Sequence, residues 1–222
     1  MPTTSPSAPA RRAAAAIAVL AWYGLLLQFY VMIVNARAIG VPTATAIANY
    51  FSFFTILTNL LVAVTLTLSL RRTPSTLGIL ANRPTVQTAA TLYIAIVGIV
   101  YSLALRHIWD PEGLQKIADI ILHDTIPALS ILYWFLFVRK FVRKDELRFR
   151  DVPAWLVYPS VYLVYSMIRG AVLGRYVYPF LDAGALGYGQ VVINVIAIAA
   201  AFAGLGLLLV GFGRWRSKSP FR

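Results

Sequence analysis

Side chains that could do chemistry are concentrated in one apolar stretch, residues 117–138, which holds His123 and Asp124, with Asp119 near its outer end. The interiors of the other five long apolar stretches contain no acid, base or histidine. Ionisable groups in such surroundings are costly and usually face a cavity or a partner. Since an imidazole can take a proton from a hydroxyl, general base chemistry at His123 is the first hypothesis.

Helical spacing distinguishes the two acids beside His123. Asp119 precedes it by four residues, which places both side chains on one helix face, and its carboxylate could orient the imidazole. Asp124 points about 100° away, so we expect it to have another partner. The alternative is a buried structural histidine whose acidic neighbours are simply satisfied partners.

A metal site is a weaker hypothesis for the same residues. His107, Asp110 and Glu112 lie shortly before the stretch, so two histidines and several carboxylates occur within a short segment. The two histidines lack the helical HxxxH or HExxH spacing that metal enzymes use. We therefore interpret them as an interfacial charge cluster and predict neither a metal nor a cofactor.

Polar side chains in four apolar stretches fall at one depth. Counting inward from the outer ends at about 1.5 Å per residue puts Thr55 about 12 Å deep, His123 and Gln28 about 9 Å, and Asn194 about 6 Å. This predicts a polar chamber that opens outward. In the alternative, Thr55 bonds only to the carbonyl of Phe51 one turn back, and the amide side chains only bridge helices.

The composition shows what must position these residues. Hydrophobic residues make up 59% of the 222 residues and charged residues 13%, whereas soluble domains carry roughly 25% charged residues. Six apolar stretches are long enough to cross a bilayer as helices. The predicted fold is an all-α polytopic membrane protein with spans at 13–34, 47–70, 88–105, 117–138, 152–168 and 190–213. We expect a kink or an early helix start in the fifth span, which contains Pro153 and Pro159.

The positive charge sets the predicted orientation. Fifteen of the 20 Lys and Arg residues lie on the side of the N-terminus, so the positive-inside rule places both termini in the cytoplasm. We interpret the net charge of +12 as topological, and predict no nucleic-acid partner. Residues 1–12 should form a disordered tail and residues 214–222 a basic tail. The predicted location is the plasma membrane, the inner membrane in bacteria, with the site in its outer half.

Three motifs carry a resemblance to a known family. In order along the chain they are Tyr50-Phe51-Ser52-Phe53-Phe54-Thr55-Ile56-Leu57-Thr58-Asn59-Leu60, Leu122-His123-Asp124-Thr125-Ile126-Pro127, and Gly174-Arg175-Tyr176-Val177-Tyr178-Pro179-Phe180-Leu181-Asp182. Together with six spans they resemble the androgen-induced family of six-pass membrane proteins, in its bacterial branch. Asp124 stands where animal members have an uncharged residue.

The resemblance implies an activity. Animal members of that family are threonine hydrolases that cleave fatty acid esters of hydroxy fatty acids. Carried onto this chain, the resemblance makes Thr55 the nucleophile and His123 the general base, and a lipid or fatty acyl ester the substrate. Asn59, Arg106 or Tyr178 could stabilise the oxyanion, and Phe51, Phe54 and Leu57 could line an acyl tunnel.

Two further expectations concern the outer loops and the rival functions. Residues 178–182 should form a structured cap or gate, with a simple turn as the alternative, and Asp182 could pair with Arg169 or Arg175. A proton-linked carrier that uses His123, Asp119 and Asp124 is the main rival, and a non-catalytic lipid-binding protein is the third reading. The sequence shows no clear inverted repeat or broken helix of the kind typical of transporters.

Overall fold

The computed structural model describes residues 7–71, 75–139 and 146–215, and these residues form helices and connecting loops without a strand. The α-helices are α1 (Ala8–Ala38), α2 (Thr43–Tyr50), α3 (Phe54–Ser69), α4 (Thr76–Ala81), α5 (Pro84–Val100), α6 (Gly113–Ile120), α7 (Ile126–Tyr133), α8 (Val152–Trp155), α9 (Val157–Leu173) and α10 (Ala183–Trp215). Five-residue π-helical turns follow α5, α6 and α7 at Tyr101–Leu105, Ile121–Thr125 and Trp134–Val138.

The all-α polytopic membrane fold is confirmed. Within the described ranges, five helical stretches are long and apolar enough to cross a membrane, and the bent pair α2 and α3 makes up to six spans. The five stretches are Ala8–Ala38, Pro84–Leu105, Gly113–Val138, Phe149–Leu173 and Ala183–Trp215. They coincide with five of the six apolar runs of the sequence, because a chain in lipid must satisfy its backbone within each helix.

The predicted boundaries need correction at both ends of the chain. Residues 8–12 are helical rather than disordered, because the Ser7 hydroxyl accepts a hydrogen bond from the amide of Ala10 and Pro9 favours a first helical turn. Arg11 then donates to the carbonyl of Leu70 at 2.9 Å, which ties α1 to the end of α3. Residues 1–6 and 216–222 of the two predicted tails lie outside the described residues.

The second span is broken, which the sequence did not predict. In place of a continuous helix over residues 47–70, α2 and α3 meet at an angle of 70° across Phe51, Ser52 and Phe53. The hydroxyl of Tyr162 donates to the carbonyl of Ser52 at 2.8 Å, and the Tyr165 hydroxyl lies 2.8 Å from the Ser52 hydroxyl. Tyr162 of α9 therefore supplies the Ser52 carbonyl with the hydrogen bond that an unbroken helix would have made.

Prolines shape the fourth and fifth spans. Pro127 has no amide hydrogen to donate to the carbonyl of His123, and the π-helical turn Ile121–Thr125 lies immediately before it. In the fifth span Pro153 sits in the first turn of α8 and Pro159 in the first turn of α9, where amide hydrogens have no helical acceptor. The early helix start predicted there is confirmed.

Helix α5 lies at the centre of the bundle, against α3, α7 and α10, and Gly98 allows its closest approach to the fourth span. A β-carbon at Gly98 would lie 3.0 Å from Cβ of Pro127 and 3.2 Å from the carbonyl oxygen of His123. Small residues let membrane helices pack with their backbones close together. The position of the His123 turn therefore depends on the missing side chain at residue 98.

Replacing this glycine should destabilise the protein. Gly98→Val forces α5 away from Pro127 and should lower the free energy of unfolding by about 1–3 kcal/mol. The matched control is Gly204→Val, because a β-carbon at Gly204 meets nothing within 4 Å. Thermal unfolding of the detergent-solubilised protein measures both, and equal stabilities of the two variants would contradict the assignment.

Candidate functional site

A cavity of about 530 Å³ opens at the end of the bundle opposite Ala8. Its walls come from the last turns of α1, the break in the second span, the end of the third span, the start of the fourth, and the loop before α10. The polar and charged residues on its walls are Gln28, Asn35, Asn49, Tyr50, Thr55, Tyr101, Trp109, Gln115, Asp119, His123, Arg175 and Tyr178. Residues from five separate segments of the sequence thus converge on one chamber.

Thr55 lies on the wall of this cavity as the second residue of α3. The alternative considered from the sequence was a hydrogen bond from the Thr55 hydroxyl to the Phe51 carbonyl. Within the described residues no such bond is present. Phe51 ends α2 and precedes the break, whereas the hydroxyl of Thr67, inside α3, bonds to the carbonyl of Ala63 at 2.7 Å. The break thus frees the Thr55 hydroxyl for contacts with other segments.

His123 lies on the same cavity, with its ring fixed by Asp119. Its Nδ1 is 3.1 Å from Oδ1 of Asp119 and 3.1 Å from the Asp119 backbone oxygen. Because both partners are acceptors, Nδ1 carries the hydrogen in the neutral ring, and the lone pair is on Nε2. The predicted contact between His123 and the acid four residues earlier is confirmed.

Tyr101 completes this cluster from the third span. Its ring stacks on the His123 ring with a centroid distance of 4.0 Å and an interplanar angle of 16°. Its hydroxyl donates to Oδ2 of Asp119, so the two carboxylate oxygens have separate partners. Asp119 is 5% exposed, and a carboxylate so deeply buried needs such partners to stay in place. No local spacing links residue 101 to residue 119, so the sequence did not point to Tyr101 as part of the site.

Asp124 and Arg106 form a separate ion pair outside the cavity wall. The guanidinium of Arg106 also lies over the Tyr101 ring, 4.9 Å from its centroid. The prediction that Asp124 has another partner than His123 is confirmed. Arg106 is engaged by Asp124 and by the Ser102 hydroxyl, so it does not point at Thr55 as an oxyanion donor.

Tyr178 brings the loop before α10 onto Thr55. Its ring is 8% exposed, stacks on Phe180 at 5.1 Å and meets Phe53 edge-on at 6.2 Å. Burial raises the pKa of the Tyr178 hydroxyl, and hydrogen bonding to the side chain and backbone of Thr55 and to the backbone of Phe54 acts in the opposite direction. Tyr178 and Thr55 thus lie on the walls of the same cavity.

The amide side chains divide between the cavity and the helix contacts. Asn59 is fully buried, and its nitrogen donates to the carbonyls of Thr55 at 2.9 Å and Leu122 at 3.2 Å, which joins α3 to the fourth span beside His123. Gln28 lines the cavity and pairs with Gln115 from α6. Asn59 is thus a positioning residue, while Gln28 belongs to the predicted chamber.

Asn194 corrects one part of the chamber prediction. Gln28, Thr55 and His123 line the cavity as expected, but the Asn194 amide donates to the carbonyl of Phe180 at 2.9 Å and lies away from its walls. Asn194 therefore holds the loop that carries Tyr178.

Residues 178–182 form an ordered segment, and their predicted role as a cap or gate stays a prediction. Pro179–Leu181 make a 3₁₀ turn, and Asp182 accepts hydrogen bonds from the amides of Gly184 and Ala185 at 3.0 Å each. The predicted ion pair of Asp182 with Arg169 or Arg175 is wrong, since Arg169 bonds to Asn49 at 2.6 Å. Asp182 caps α10, because a helix start offers free amide hydrogens to a carboxylate.

A second, apolar cavity of about 190 Å³ adjoins the first. Four residues line both cavities, and they are Thr55, Tyr101, Leu105 and Tyr178. Of the three residues predicted to form an acyl tunnel, Phe54 lines the apolar cavity, whereas Phe51 and Leu57 do not. Thr55 therefore borders two spaces, one with charged and amide side chains on part of its walls and one without charged side chains.

No protein-family model, curated protein or solved structure matches this chain. The resemblance carried by the three sequence motifs therefore stays a prediction. Within the described ranges, no group of three or more His, Cys, Asp and Glu side chains is placed to hold a metal ion.

The cap assignment for Asp182 is testable. Asp182→Ala removes the acceptor for two amides and should lower the free energy of unfolding by about 1 kcal/mol, whereas Asp182→Asn keeps an acceptor and should cost less. Thermal unfolding in detergent compares the two variants. If Asn were as destabilising as Ala, the charge rather than the cap would be what matters, and the assignment would be wrong.

Proposed function

We propose that this protein is an intramembrane hydrolase of lipid esters in which Thr55 is the nucleophile and His123 the general base. The observation that carries the proposal is that Thr55 and His123 line one cavity and that Asp119 fixes the His123 ring. A hydroxyl is a weak nucleophile until a base takes its proton, and a base works best when a third group orients it. The three side chains supply these roles.

The first half of the reaction transfers the acyl group. Nε2 of His123 takes the proton from the Thr55 hydroxyl as the oxygen attacks the ester carbonyl carbon. The tetrahedral intermediate then expels the alcohol oxygen, which receives that proton from His123. An acyl-threonine and a free alcohol result.

The second half releases the acid. Water that enters through the polar cavity gives a proton to Nε2 of His123 and attacks the acyl carbon, and the Thr55 oxygen leaves with the returned proton. The products are a fatty acid and the regenerated enzyme. Asp119 stabilises the imidazolium form at both stages, because its carboxylate accepts from Nδ1.

The negative charge on the carbonyl oxygen needs donors. Thr55 is in the first turn of α3, where amides have no partner one turn back, and the helix dipole also favours an anion there. Tyr178 lines the same cavity as Thr55, and its hydroxyl is a further donor. Of the candidates from the sequence, Tyr178 fits this role better than Asn59 or Arg106, whose nitrogens are engaged elsewhere.

The substrate class rests on the resemblance and on the setting. Fatty acid esters of hydroxy fatty acids are the substrates that the family resemblance implies, and a site inside an apolar helix bundle suits an ester that resides in the bilayer. The positive-inside rule favours cytoplasmic termini, and we propose on that ground that the cavity lies in the outer half of the plasma membrane, the inner membrane in bacteria.

Substitutions at Thr55 and His123 test the proposal directly. Thr55→Ala and His123→Ala should each lower hydrolysis of a fatty acid ester of a hydroxy fatty acid by at least about a thousandfold, and the double variant should be no worse than either single one. Non-additivity is expected because the two groups act as one unit. Purified protein in detergent, assayed for released fatty acid, gives the rates.

Controls separate chemistry from folding. Thr55→Ser keeps a hydroxyl and should retain part of the activity and of the labelling by an active-site-directed fluorophosphonate, which Thr55→Ala should lose. Wild-type turnover by purified Thr55→Ala would end the nucleophile assignment.

The role of Asp119 is tested against its neighbour Asp124. Asp119→Asn presents an amide that can donate to Nδ1 and so favour the wrong tautomer, and turnover should fall by about 10²- to 10⁴-fold. Asp124→Asn is the matched control, because it lies one residue from His123 but pairs with Arg106 outside the cavity wall. Turnover in the control should stay within about threefold of wild type. Equal losses in both variants would contradict the orienting role.

A proton-linked carrier is the second candidate, and the break in the second span favours it. Transporters bind substrates at discontinuous helices whose free ends face the ligand, and α2 and α3 form such a pair. The two proposals differ in a measurable way. Protein in liposomes that carries current or takes up protons with Thr55 replaced by Ala, and shows no ester hydrolysis, would favour the carrier.

A further inference from the structure

The apolar cavity faces the lipid between the last two spans. Ser160 on α9 and Ala199 on α10 line it and are both exposed. Helix α10 packs against α5 and α8, whereas α9 and α10 do not pack extensively against each other. Of the apolar 18-residue stretch within each span, only 17% is buried in Phe149–Leu173 and 22% in Ala183–Trp215. The corresponding share in Pro84–Leu105 is 56%. A gap between the two outermost spans thus leads from the bilayer into the bundle.

The walls of this gap suit a hydrocarbon chain. None of the residues that line the cavity is charged, and most are aliphatic or aromatic: Phe54, Ile96, Val97, Val100, Leu105, Leu156, Leu163, Phe180, Leu181, Val195, Ile198 and Phe202. The Thr55 hydroxyl group and the Tyr178 ring border the same space. A chain that entered from the lipid would exchange one apolar environment for another and bring its polar end to Thr55.

We propose that the gap between α9 and α10 is a lateral portal through which the acyl chain of a bilayer ester reaches Thr55. The proposal rests on the hydrolase function and adds its substrate route: the acyl chain occupies the apolar cavity, and the alcohol portion and water occupy the polar one. Thr55 and Tyr178 lie on both walls, so the ester bond is held at the boundary between the two cavities.

The alternative occupant is a structural phospholipid that never exchanges. Continuity with Thr55 argues for a substrate chain, because a structural lipid needs no opening toward a nucleophile. A substrate chain must also come and go, and the exposed edge formed by Ser160 and Ala199 provides an exit into lipid.

A photocrosslinking experiment tests the portal. Protein in phosphatidylcholine liposomes is irradiated with palmitic acid that carries a diazirine in mid-chain, and labelled peptides are located by mass spectrometry. Labels should fall on α5, α9 and α10, and an excess of unlabelled long-chain ester should displace them. Labelling that resists displacement would indicate a resident lipid and would overturn the proposal.

Two alanines in α10 give matched variants. Ala199→Trp fills the portal and should lower the labelling about tenfold, whereas Ala197→Trp, on the opposite face of the same helix and also exposed, should leave it unchanged. The ratio of long-chain to short-chain ester turnover should fall with Ala199→Trp by a similar factor. Equal labelling of both variants would show that the chain does not pass between α9 and α10.

Two additions keep the result interpretable. If Ala199→Trp fails to fold, Ala199→Cys can be alkylated with a pyrene maleimide after purification, since the chain has no other cysteine. Labelling is also measured in Thr55→Ala. Displaceable labelling in Thr55→Ala, together with no hydrolysis by the wild type, would contradict the hydrolase function and support the lipid site. Hydrolysis by the wild type without displaceable labelling would contradict the portal and support the hydrolase function.

Discussion

The site depends on one constraint: backbone groups inside an apolar bundle must find hydrogen-bond partners. At the break between α2 and α3 the helix no longer provides them, and the Ser52 carbonyl accepts from Tyr162 of α9, while Tyr165 of α9 bonds to the Ser52 hydroxyl. Because those bonds come from another helix, α3 can begin in the interior of the bundle with Thr55 in its first turn. An unbroken helix would have left Thr55 in mid-helix, where a threonine hydroxyl usually bonds to its own backbone.

The same requirement accounts for the geometry of the fourth span. The π-helical turn before Pro127 carries His123, and Gly98 lets the third span approach it closely enough for Tyr101 to reach both His123 and Asp119. A buried carboxylate with two partners and an imidazole whose Nδ1 is held by two acceptors is a stable arrangement in low-dielectric surroundings. It is also the arrangement that a general base needs, so stability and reactivity make the same demand on these residues.

Features that depend on residues close together in the sequence could be predicted from it. The apolar runs gave the spans, and the four-residue spacing of Asp119 and His123 predicted their contact. The break at Ser52 could not be predicted in this way, because its hydrogen-bond partner Tyr162 lies 110 residues further along the chain. The error at Asp182 has a related cause: pairing with an arginine and capping α10 both satisfy a carboxylate, and only the path of the loop decides between them.

A hydrolase for lipid esters has to bring an insoluble chain and a water molecule to the same atom. In this bundle the broken span and the sparse packing of α9 against α10 open two spaces of different polarity, and Thr55 borders both. A carrier would need a path that alternates between the two faces of the membrane, which requires large movements around a central site. A hydrolase needs no such movement, because its products can leave by the routes through which lipid and water entered. The proposed ester hydrolysis needs one space with polar groups for water and one without charge for an acyl chain, and Thr55 borders a space of each kind.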